Sequence, residues 1–395
     1  MSAKCHCQNH DSSENGLSRR ALIETGAALG AVAALSPEAM AASPKLKTIP
    51  ATGYAAPSAT GKLAPFHFKR RDTGPKDVLI DILYCGVCHS DIHTARGEWP
   101  GTRYPCVPGH EILGRVVKVG DGVTRFKKGD MAAVGCLVDS CGHCASCNEG
   151  LEQFCENGAT LTYNSDDKLL GTPTYGGYSN LVTVTEHFAV KVPDGMNAAG
   201  AAPLLCAGIT TYSPLRHWKV GPGTKVGIVG IGGLGHVGVK IAAAMGAEVT
   251  MITTTPAKMA DAARLGAKDA LLSTDEDAMH KRQGTFDFLL STIPCTHPVM
   301  PYVQLLRRDG TLVVVGALDH KSTEVYLATL VIQRKTVAGS VIGGLPETQE
   351  MLDFCAQHNI VADADIIPIS RINEAYDRVK AKDVRYRFVI DMASI

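Results

Sequence analysis

A glycine-rich turn between an apolar strand and a helix constrains the fold of this chain more than any other feature. Gly230, Gly232 and Gly235 form the pattern G-x-G-x-x-G directly after the run VGIV, with Gly233 and Leu234 inside the turn. The first glycine permits a tight bend, the second lets a pyrophosphate approach the backbone, and the third lets helix and strand pack closely. The helix amino terminus then adds N–H groups and a positive dipole for the phosphates.

The surrounding sequence alternates β-rich runs with helical stretches, which predicts an α/β fold with a doubly wound parallel sheet. An alanine-rich helix is predicted over Gly233–Met245. The six predicted strands are Lys225–Val229, Val249–Ile252, Ala270–Leu272, Phe286–Ser291, Thr311–Val315 and Thr336–Val341.

The end of the second predicted strand indicates which nicotinamide cofactor binds. A carboxylate about 20 residues after the turn would bond the ribose 2′-hydroxyl of NAD. The chain has Thr253, Thr254 and Thr255 there instead, followed by Lys258. Small hydroxyls and a cation suit a 2′-phosphate, so the sequence predicts NADP(H).

Charge and length exclude some classes of protein. The 395 residues carry 39 Lys and Arg against 39 Asp and Glu, so the chain lacks the basic excess typical of nucleic-acid binders and of binders of anionic membranes. At about 100–200 residues per domain, the length predicts two domains. No stretch reaches the roughly 20 apolar residues of a membrane-spanning helix.

The chain has thirteen cysteines, an odd and high number for its length. Disulfide scaffolds that need this many are usually short, so metal binding or catalysis is the better explanation. Cys141, Cys144, Cys147 and Cys155 follow the spacing C-x2-C-x2-C-x7-C, which favours a closed structural zinc site. An iron–sulfur cluster and disulfides remain alternatives at this point.

A second set of metal ligands is dispersed. It comprises Cys88, the pair His110-Glu111, and Cys206, and its spacing alone is a weak signal. Cys85, Cys88 and His89 also match C-x-x-C-H, the attachment motif of c-type haem. The residues by themselves leave both interpretations open.

The amino terminus has the features of an export signal. Arg19 and Arg20 precede a weakly apolar run from Thr25 to Leu35, and Ala39-Met40-Ala41 fits a cleavage site. This resembles a bacterial twin-arginine signal over residues 1–41 and predicts a periplasmic protein. The alternative is an unstructured extension on a cytoplasmic protein.

Several strings together resemble one enzyme family. GVCHSDIH (86–93), VPGHEILG (107–114), the four-cysteine segment, LLCAGITTYSPL (204–215) and VGIVGIGGLG (226–235) are similar to the zinc-dependent medium-chain alcohol dehydrogenases. The branch they most resemble is that of the cinnamyl alcohol dehydrogenases and the bacterial NADPH-dependent aldehyde reductases. The resemblance covers about residues 48–395.

The resemblance implies a GroES-like β-barrel catalytic domain over 42–192, completed by 345–395, and an NADP-binding Rossmann domain over 193–344. It assigns Cys88, His110 and Cys206 to a catalytic zinc, the Cys2His set known for alcohol dehydrogenases, with Glu111 beside it. The cysteines at 141, 144, 147 and 155 would hold a structural zinc. Five cysteines, Cys85, Cys106, Cys136, Cys295 and Cys355, receive no role.

The resemblance also implies roles in catalysis. Ser90 would pass a proton to the substrate oxygen, His93 would relay it, and Asp91 would orient His110. Trp99 would form an aromatic wall of the substrate pocket. The nicotinamide end would be lined by Thr210, Val315 and Ser340.

The expected activity is interconversion of primary alcohols and aldehydes, mainly aldehyde reduction by NADPH on broad aliphatic and aromatic substrates. We expect a small-molecule substrate, two zinc ions per chain, no nucleic-acid partner, no stable membrane span, and a homodimer. The alternatives are a haem-bearing exported redox protein and a catalytically silent nucleotide-binding relic of the same fold.

Overall fold

The computed structural model describes residues 47–316 and 324–395, so the predicted signal at 1–41 lies outside the described residues. The described strands, in chain order, are β1 (Thr48–Ala55), β2 (Ala64–Arg71), β3 (Asp77–Val87), β4 (Ile112–Val119), β5 (Met131–Val134), β6 (Leu137–Asp139), β7 (Thr160–Leu161), β8 (Leu181–Thr185), β9 (Val190–Lys191), β10 (Lys225–Val229), β11 (Glu248–Thr253), β12 (Asp269–Leu272), β13 (Phe286–Ser291), β14 (Leu306–Val314), β15 (Thr336–Gly339), β16 (Ala364–Pro368) and β17 (Arg387–Asp391).

Most helices are short. They are α1 (His89–Ala95), α2 (Ala145–Asn148), α3 (Ala198–Ala201), α4 (Ala207–His217), α5 (Gly235–Ala244), α6 (Pro256–Met259), α7 (Ala262–Leu265), α8 (Glu276–Lys281), α9 (Met300–Leu305), α10 (Leu327–Gln333), α11 (Leu345–Gln357) and α12 (Ile372–Lys380). None of the helices in the described ranges is long and apolar enough to cross a membrane.

Seven strands form a mixed sheet with the order β16-β17-β3-β4-β5-β9, and β8 pairs with β3. The strand at its centre, β3, is buried along most of its length and ends at Val87, next to Cys88. The carboxyl-terminal strand β17 pairs antiparallel with β3, from Phe388 opposite Val87 to Asp391 opposite Tyr84. The last segment of the chain therefore lies directly beside the strand that leads into the first metal-ligand candidate.

Six strands form a parallel sheet with the order β12-β11-β10-β13-β14-β15. Strand order reverses between β10 and β13, which is the point where a doubly wound sheet binds its ligand. The central strand β10 is buried except at Lys225. The doubly wound parallel sheet predicted from the sequence is confirmed.

Some element bounds differ from those predicted. The helix after the glycine turn begins at Gly235, because Gly233 and Leu234 remain in the turn. Strand β14 begins at Leu306, where Leu306 pairs with Phe286 before a register shift. The predicted strand therefore began five residues late, because the sequence Asp309-Gly310 is typical of a turn.

Candidate active site

Asp91 organises the start of α1 through four hydrogen bonds. One carboxylate oxygen accepts from the backbone N–H of Cys88 at 2.9 Å and from the hydroxyl of Tyr178 at 3.2 Å. The other accepts from the backbone N–H of Gly109 and from Nδ1 of His110, both at 3.0 Å. The carboxylate is fully buried, so these bonds replace the water that it gives up.

The bond between Asp91 and His110 fixes the tautomer of the imidazole. A carboxylate only accepts, so Nδ1 of His110 carries the hydrogen, and in the neutral ring that binds a metal the lone pair is on Nε2. A histidine that ligates a metal usually has its other ring nitrogen held in this way. The predicted orienting role of Asp91 thus has a geometric basis.

The structure brings together Cys88, His110, Glu111 and Cys206, whose potential ligand atoms all lie within 4.8 Å of one another. All four residues are buried. Cys88 follows β3, His110 precedes β4, and Cys206 lies at the start of α4. Two thiols and an imidazole nitrogen with a free lone pair suit a catalytic zinc with one position left for substrate.

Glu111 occupies a pocket that only a glycine neighbour permits. A Cβ at Gly86 would lie 1.9 Å from one carboxylate oxygen of Glu111. That oxygen is buried and has no hydrogen-bond partner in the described part of the chain, whereas the other forms an ion pair with Arg387. An unpartnered buried carboxylate oxygen beside two thiols fits a nearby cation.

Two residues at this site were missed by the sequence analysis. Arg387 on β17 is buried and pairs with Glu111, and its guanidinium also packs against Gly233 of the glycine turn. The thiol of Cys136 donates to the carbonyl oxygen of Leu205 at 4.0 Å, directly before Cys206 in the chain. The sequence analysis counted Cys136 among the cysteines without a role and did not single out Arg387, because nothing local in the sequence indicates what either residue touches.

Ser90 and His93 lie three residues apart on α1, on neighbouring positions of one helix face. The hydroxyl of Ser90 lies 3.8 Å from the thiol of Cys88. Nδ1 of His93 lies 2.5 Å from a carboxylate oxygen of Glu98, and its ring stacks on Trp99 at 5.2 Å between centroids. Nε2 of His93 is buried, and no described residue hydrogen-bonds it, so this nitrogen is available to a ligand.

The second cysteine set also comes together. Cys141, Cys144, Cys147 and Cys155 place their sulfurs within 4.8 Å of one another, and none of them forms a disulfide. Backbone N–H groups point at these sulfurs, including those of residue 144 at 3.3 Å and Glu156 at 3.5 Å. Donors of this kind stabilise thiolates, and four thiolates fit a closed tetrahedral zinc site.

The haem interpretation conflicts with the position of Cys85. This residue lies on β3 and is fully buried, with its sulfur against the backbone of Gly109 and Gly177. Cys88 belongs to the metal-ligand cluster. The two sulfurs therefore cannot both reach an exposed haem edge.

The glycine turn has the shape that a dinucleotide requires. Gly230 adopts a positive φ of 87°. A Cβ at Gly235 would lie 2.1 Å from the carbonyl oxygen of Gly230, whereas a Cβ at Gly232 would have no heavy atom within 4 Å. The space above Gly232 is therefore open, as the approach of a pyrophosphate needs. Leu234 lies at the junction with α5.

The predicted 2′-phosphate residues lie at the end of β11. The Thr253 hydroxyl accepts a hydrogen bond from the N–H of Thr255, and Thr254 is exposed. Nζ of Lys258 donates to the carbonyl oxygen of Ile231 at 2.8 Å, so this lysine reaches back over the turn. An ammonium group thus lies between the turn and the strand end.

The predicted nicotinamide-end residues converge at the carboxyl edge of the parallel sheet. The N–H of Val315 bonds Ser291, and the N–H of Ser340 bonds Val314. Thr210 lies on α4, one turn after Cys206. Its hydroxyl is buried and lacks a hydrogen-bond partner within residues 47–316 and 324–395, which fits a ligand that is polar at this end.

Comparison with known proteins identifies the family. Residues 74–194 match the alcohol dehydrogenase GroES-like domain, and residues 233–357 match the zinc-binding dehydrogenase domain. The chain belongs to the zinc-binding alcohol dehydrogenase family. Membership confirms the predicted fold class, a GroES-like domain with a Rossmann domain, and the assignment to zinc-dependent oxidoreductases.

Two named relatives indicate which members of the family this chain is similar to. An aldehyde reductase of Escherichia coli, YahK, is 54% identical over 337 residues, which is 85% of this chain and 96% of the relative. NADP-dependent alcohol dehydrogenase C 1 of Mycolicibacterium smegmatis is 52% identical, covering 87% of this chain and 98% of the relative.

Among solved structures, a cinnamyl alcohol dehydrogenase from Sorghum bicolor superposes with a TM-score of 0.85 at 43% identity, covering 87% of this chain and 98% of that one. An enzyme of the same type (CAD) from Helicobacter pylori, complexed with NADP(H), gives 0.83 at 42%, covering 88% and 99%.

Proposed function

We propose that this protein is an NADP(H)-dependent aldehyde reductase that converts aliphatic and aromatic aldehydes to primary alcohols. The observation that carries the proposal is the cluster of Cys88, His110 and Cys206 beside Ser90. The prediction of NADP(H) agrees with relatives that are named as NADP-dependent. When bound, zinc supplies a Lewis acid for the carbonyl oxygen and NADPH supplies the hydride.

Residues of the chain itself transfer the proton that the reduction requires. The hydroxyl of Ser90, next to the thiol of Cys88, donates to the oxygen of the substrate as charge develops there. His93 lies on the same helix face and donates from Nδ1 to Glu98, so the imidazolium form carries a second proton on Nε2, which no described residue hydrogen-bonds, and can supply the replacement proton from there. Trp99, stacked on His93, offers a flat apolar surface that suits an aromatic aldehyde.

A substrate panel tests the proposal. Wild-type protein loaded with zinc should reduce benzaldehyde- and cinnamaldehyde-type substrates with NADPH, and a chelator should abolish turnover. Ser90→Ala should lower kcat by about 10²–10⁴-fold, the usual contribution of a positioned proton donor, while the Kd for NADPH stays unchanged. Ser58→Ala, at an exposed turn, is the matched control. A zinc-loaded protein that binds NADPH but reduces none of the panel would support the relic instead.

Lys258→Ala tests the choice of cofactor. Loss of one charge-assisted contact should weaken NADPH binding by about 1.5–3 kcal/mol and leave NADH binding nearly unchanged. An unchanged preference for NADPH over NADH would refute the assignment of Lys258 and the threonines.

We further propose export to the periplasm through the twin-arginine route. The support is the sequence of residues 18–41, with Arg19 and Arg20 before the apolar run. This route carries folded proteins, so zinc and NADP(H) would be loaded in the cytoplasm and retained. Fractionation should find the wild type in the periplasm and an Arg19→Lys, Arg20→Lys variant in the cytoplasm. Equal distribution of the two would refute the signal.

A homodimer is also proposed. On α10, Leu327, Val331 and Ile332 are 72%, 79% and 81% exposed, and β15 is the outer strand of the parallel sheet. Apolar side chains beside a sheet edge suit a symmetric contact with a second copy. Light scattering should give twice the chain mass for the wild type and a monomer for Val331→Asp. A monomeric wild type would refute the proposal.

A further inference from the structure

The segment before β17 lies against α6, the helix that carries Lys258. Nη2 of Arg385 donates to the carbonyl oxygen of Ala257 at 3.1 Å, and Nη1 lies 3.2 Å from a carboxylate oxygen of Asp261. Lys258 lies over the ring of the next residue, Tyr386, at 5.5 Å from the ring centroid. The segment continues into β17 of the mixed sheet, whereas α6 follows β11 of the parallel sheet.

This corner carries more positive than negative charge. Burial lowers the pKa of Lys258, and repulsion from Arg385 and Lys382 lowers it further. Asp261 is the carboxylate that faces them. This carboxylate already forms ion pairs with Arg385 and Arg264 and accepts a hydrogen bond from the hydroxyl of Tyr386.

The two lysines lack a carboxylate of their own. Within the described ranges, neither Lys258 nor Lys382 has a carboxylate oxygen within 4.0 Å. The other acid of this corner, Asp363, pairs with Lys240 and Arg264. The excess positive charge of this corner can therefore be neutralised by a bound anion of at least one unit charge.

The location of this corner indicates which anion it binds. The corner lies directly beyond Thr254 and Thr255, at the carboxyl end of the second strand of the parallel sheet, where a dinucleotide places its adenosine ribose. The side chain of Arg385 is 49% exposed, so its guanidinium is accessible and can turn from Asp261 towards a ligand. A planar guanidinium offers paired N–H donors to phosphate oxygens.

We propose that Arg385 is a specificity-determining residue that binds the 2′-phosphate of NADP(H), opposite Lys258. This inference rests on the proposed use of NADP(H). It makes the 2′-phosphate a contact between two parts of the chain, because Lys258 belongs to the parallel-sheet part and Arg385 precedes a strand of the mixed sheet. The 2′-phosphate would add to the contacts that already join these two parts at this corner, between Arg385 and Ala257 and between Tyr386 and Asp261.

Binding measurements on the full zinc-loaded chain test this without turnover. The probes are NADPH, NADH, adenosine 2′,5′-bisphosphate and adenosine 5′-diphosphate, titrated by calorimetry or by nicotinamide fluorescence. Arg385→Ala should raise the Kd of NADPH and of the 2′,5′-bisphosphate by about 10–100-fold, as expected for one charge-assisted contact. The Kd values of NADH and the 5′-diphosphate should stay within twofold, and Arg385→Lys should recover part of the loss.

Arg371→Ala, which removes an arginine that pairs with Glu374 on α12, is the matched control and should change none of the four values. Equal weakening of all four probes by Arg385→Ala would show that Arg385 only supports α6 and would overturn the proposal, as would unchanged binding of all four. If Arg385→Ala does not fold, Arg385→Gln is measured in the same way. Aldehyde reduction by the wild type decides the proposed function separately, since these titrations require no substrate.

Discussion

His236 should make this protein lose stability in mild acid. The residue lies at the start of α5, beside the glycine turn, and its side chain is fully buried. Its Nδ1 bonds the carbonyl oxygen of Gly232 at 2.9 Å, and its Nε2 accepts from the N–H of Asp363 at 3.0 Å. The ring must be neutral to accept at Nε2, and it stacks on Tyr386 at 4.8 Å between centroids.

Burial lowers the pKa of His236 from 6.5 to about 3. Above pH 6.5 the ring is neutral in both folded and unfolded chains, so it contributes no pH dependence. Below pH 6.5 the unfolded chain binds a proton that the folded chain refuses until about pH 3, and stability falls as pH falls. At about 1.4 kcal/mol per pH unit, the free energy of unfolding drops by about 2 kcal/mol between pH 7 and pH 5 through this residue.

The variant His236→Gln isolates the effect. Glutamine keeps a donor and an acceptor but does not bind a proton in this pH range. The variant should therefore lack the fall in unfolding free energy that His236 causes in acid. Urea unfolding at pH 7, 6 and 5 would give the free energy of unfolding of both proteins. Protonation of the metal ligands acts on both and cancels in the difference. Wild type should be more stable at pH 7, and its advantage should shrink by about 2 kcal/mol at pH 5.

The exposed His280→Gln is the control and should follow the wild type at every pH. An advantage of wild type over His236→Gln that stays constant between pH 7 and pH 5 would refute the neutral, desolvated ring. An advantage that grows in acid would mean that the folded state favours the charged imidazole, which is the reverse of the present argument.

Two further predictions follow from the site. Asp91→Asn should lower zinc retention or activity by about 10–100-fold, because the amide no longer holds His110 with a charge; metal release to a chelator dye measures it, and release at the wild-type rate would contradict it. Gly235→Ala should cost about 1–3 kcal/mol of unfolding free energy, since its Cβ meets the carbonyl of Gly230, whereas Gly232→Ala should fold normally and weaken NADPH binding. Equal melting temperatures of the two alanine variants would contradict this difference.

Local chemistry explains what the sequence predicted well. The strand Phe286–Ser291 and the turn after Val229 are defined by residues within a few positions of one another, so the pattern and the structure agree. The same holds for the four cysteines of 141–155, which are close in sequence and in space. Short-range features of this kind need no knowledge of how the sheets assemble.

Contacts between residues far apart in the chain could not be predicted from the sequence. Arg387 pairs with Glu111 across 276 positions of sequence, and only the antiparallel pairing of β17 with β3 brings them together. The spacing of Cys88, His110 and Cys206 was a weak signal for the same reason, and their common role came from the resemblance. No local pattern could have indicated that His236 accepts a bond from Asp363.

The ligands of the catalytic metal site are far apart in the sequence, so the ribosome synthesises them at different times. Cys88 and His110 leave the ribosome well before Cys206, which lies 96 positions after His110. At about 5–20 residues per second, the two early ligands wait roughly 5–20 seconds for the third. During that interval an ion on the nascent chain can exchange freely or be replaced by a competing metal. The full set of three ligands therefore exists only once α4 has been synthesised.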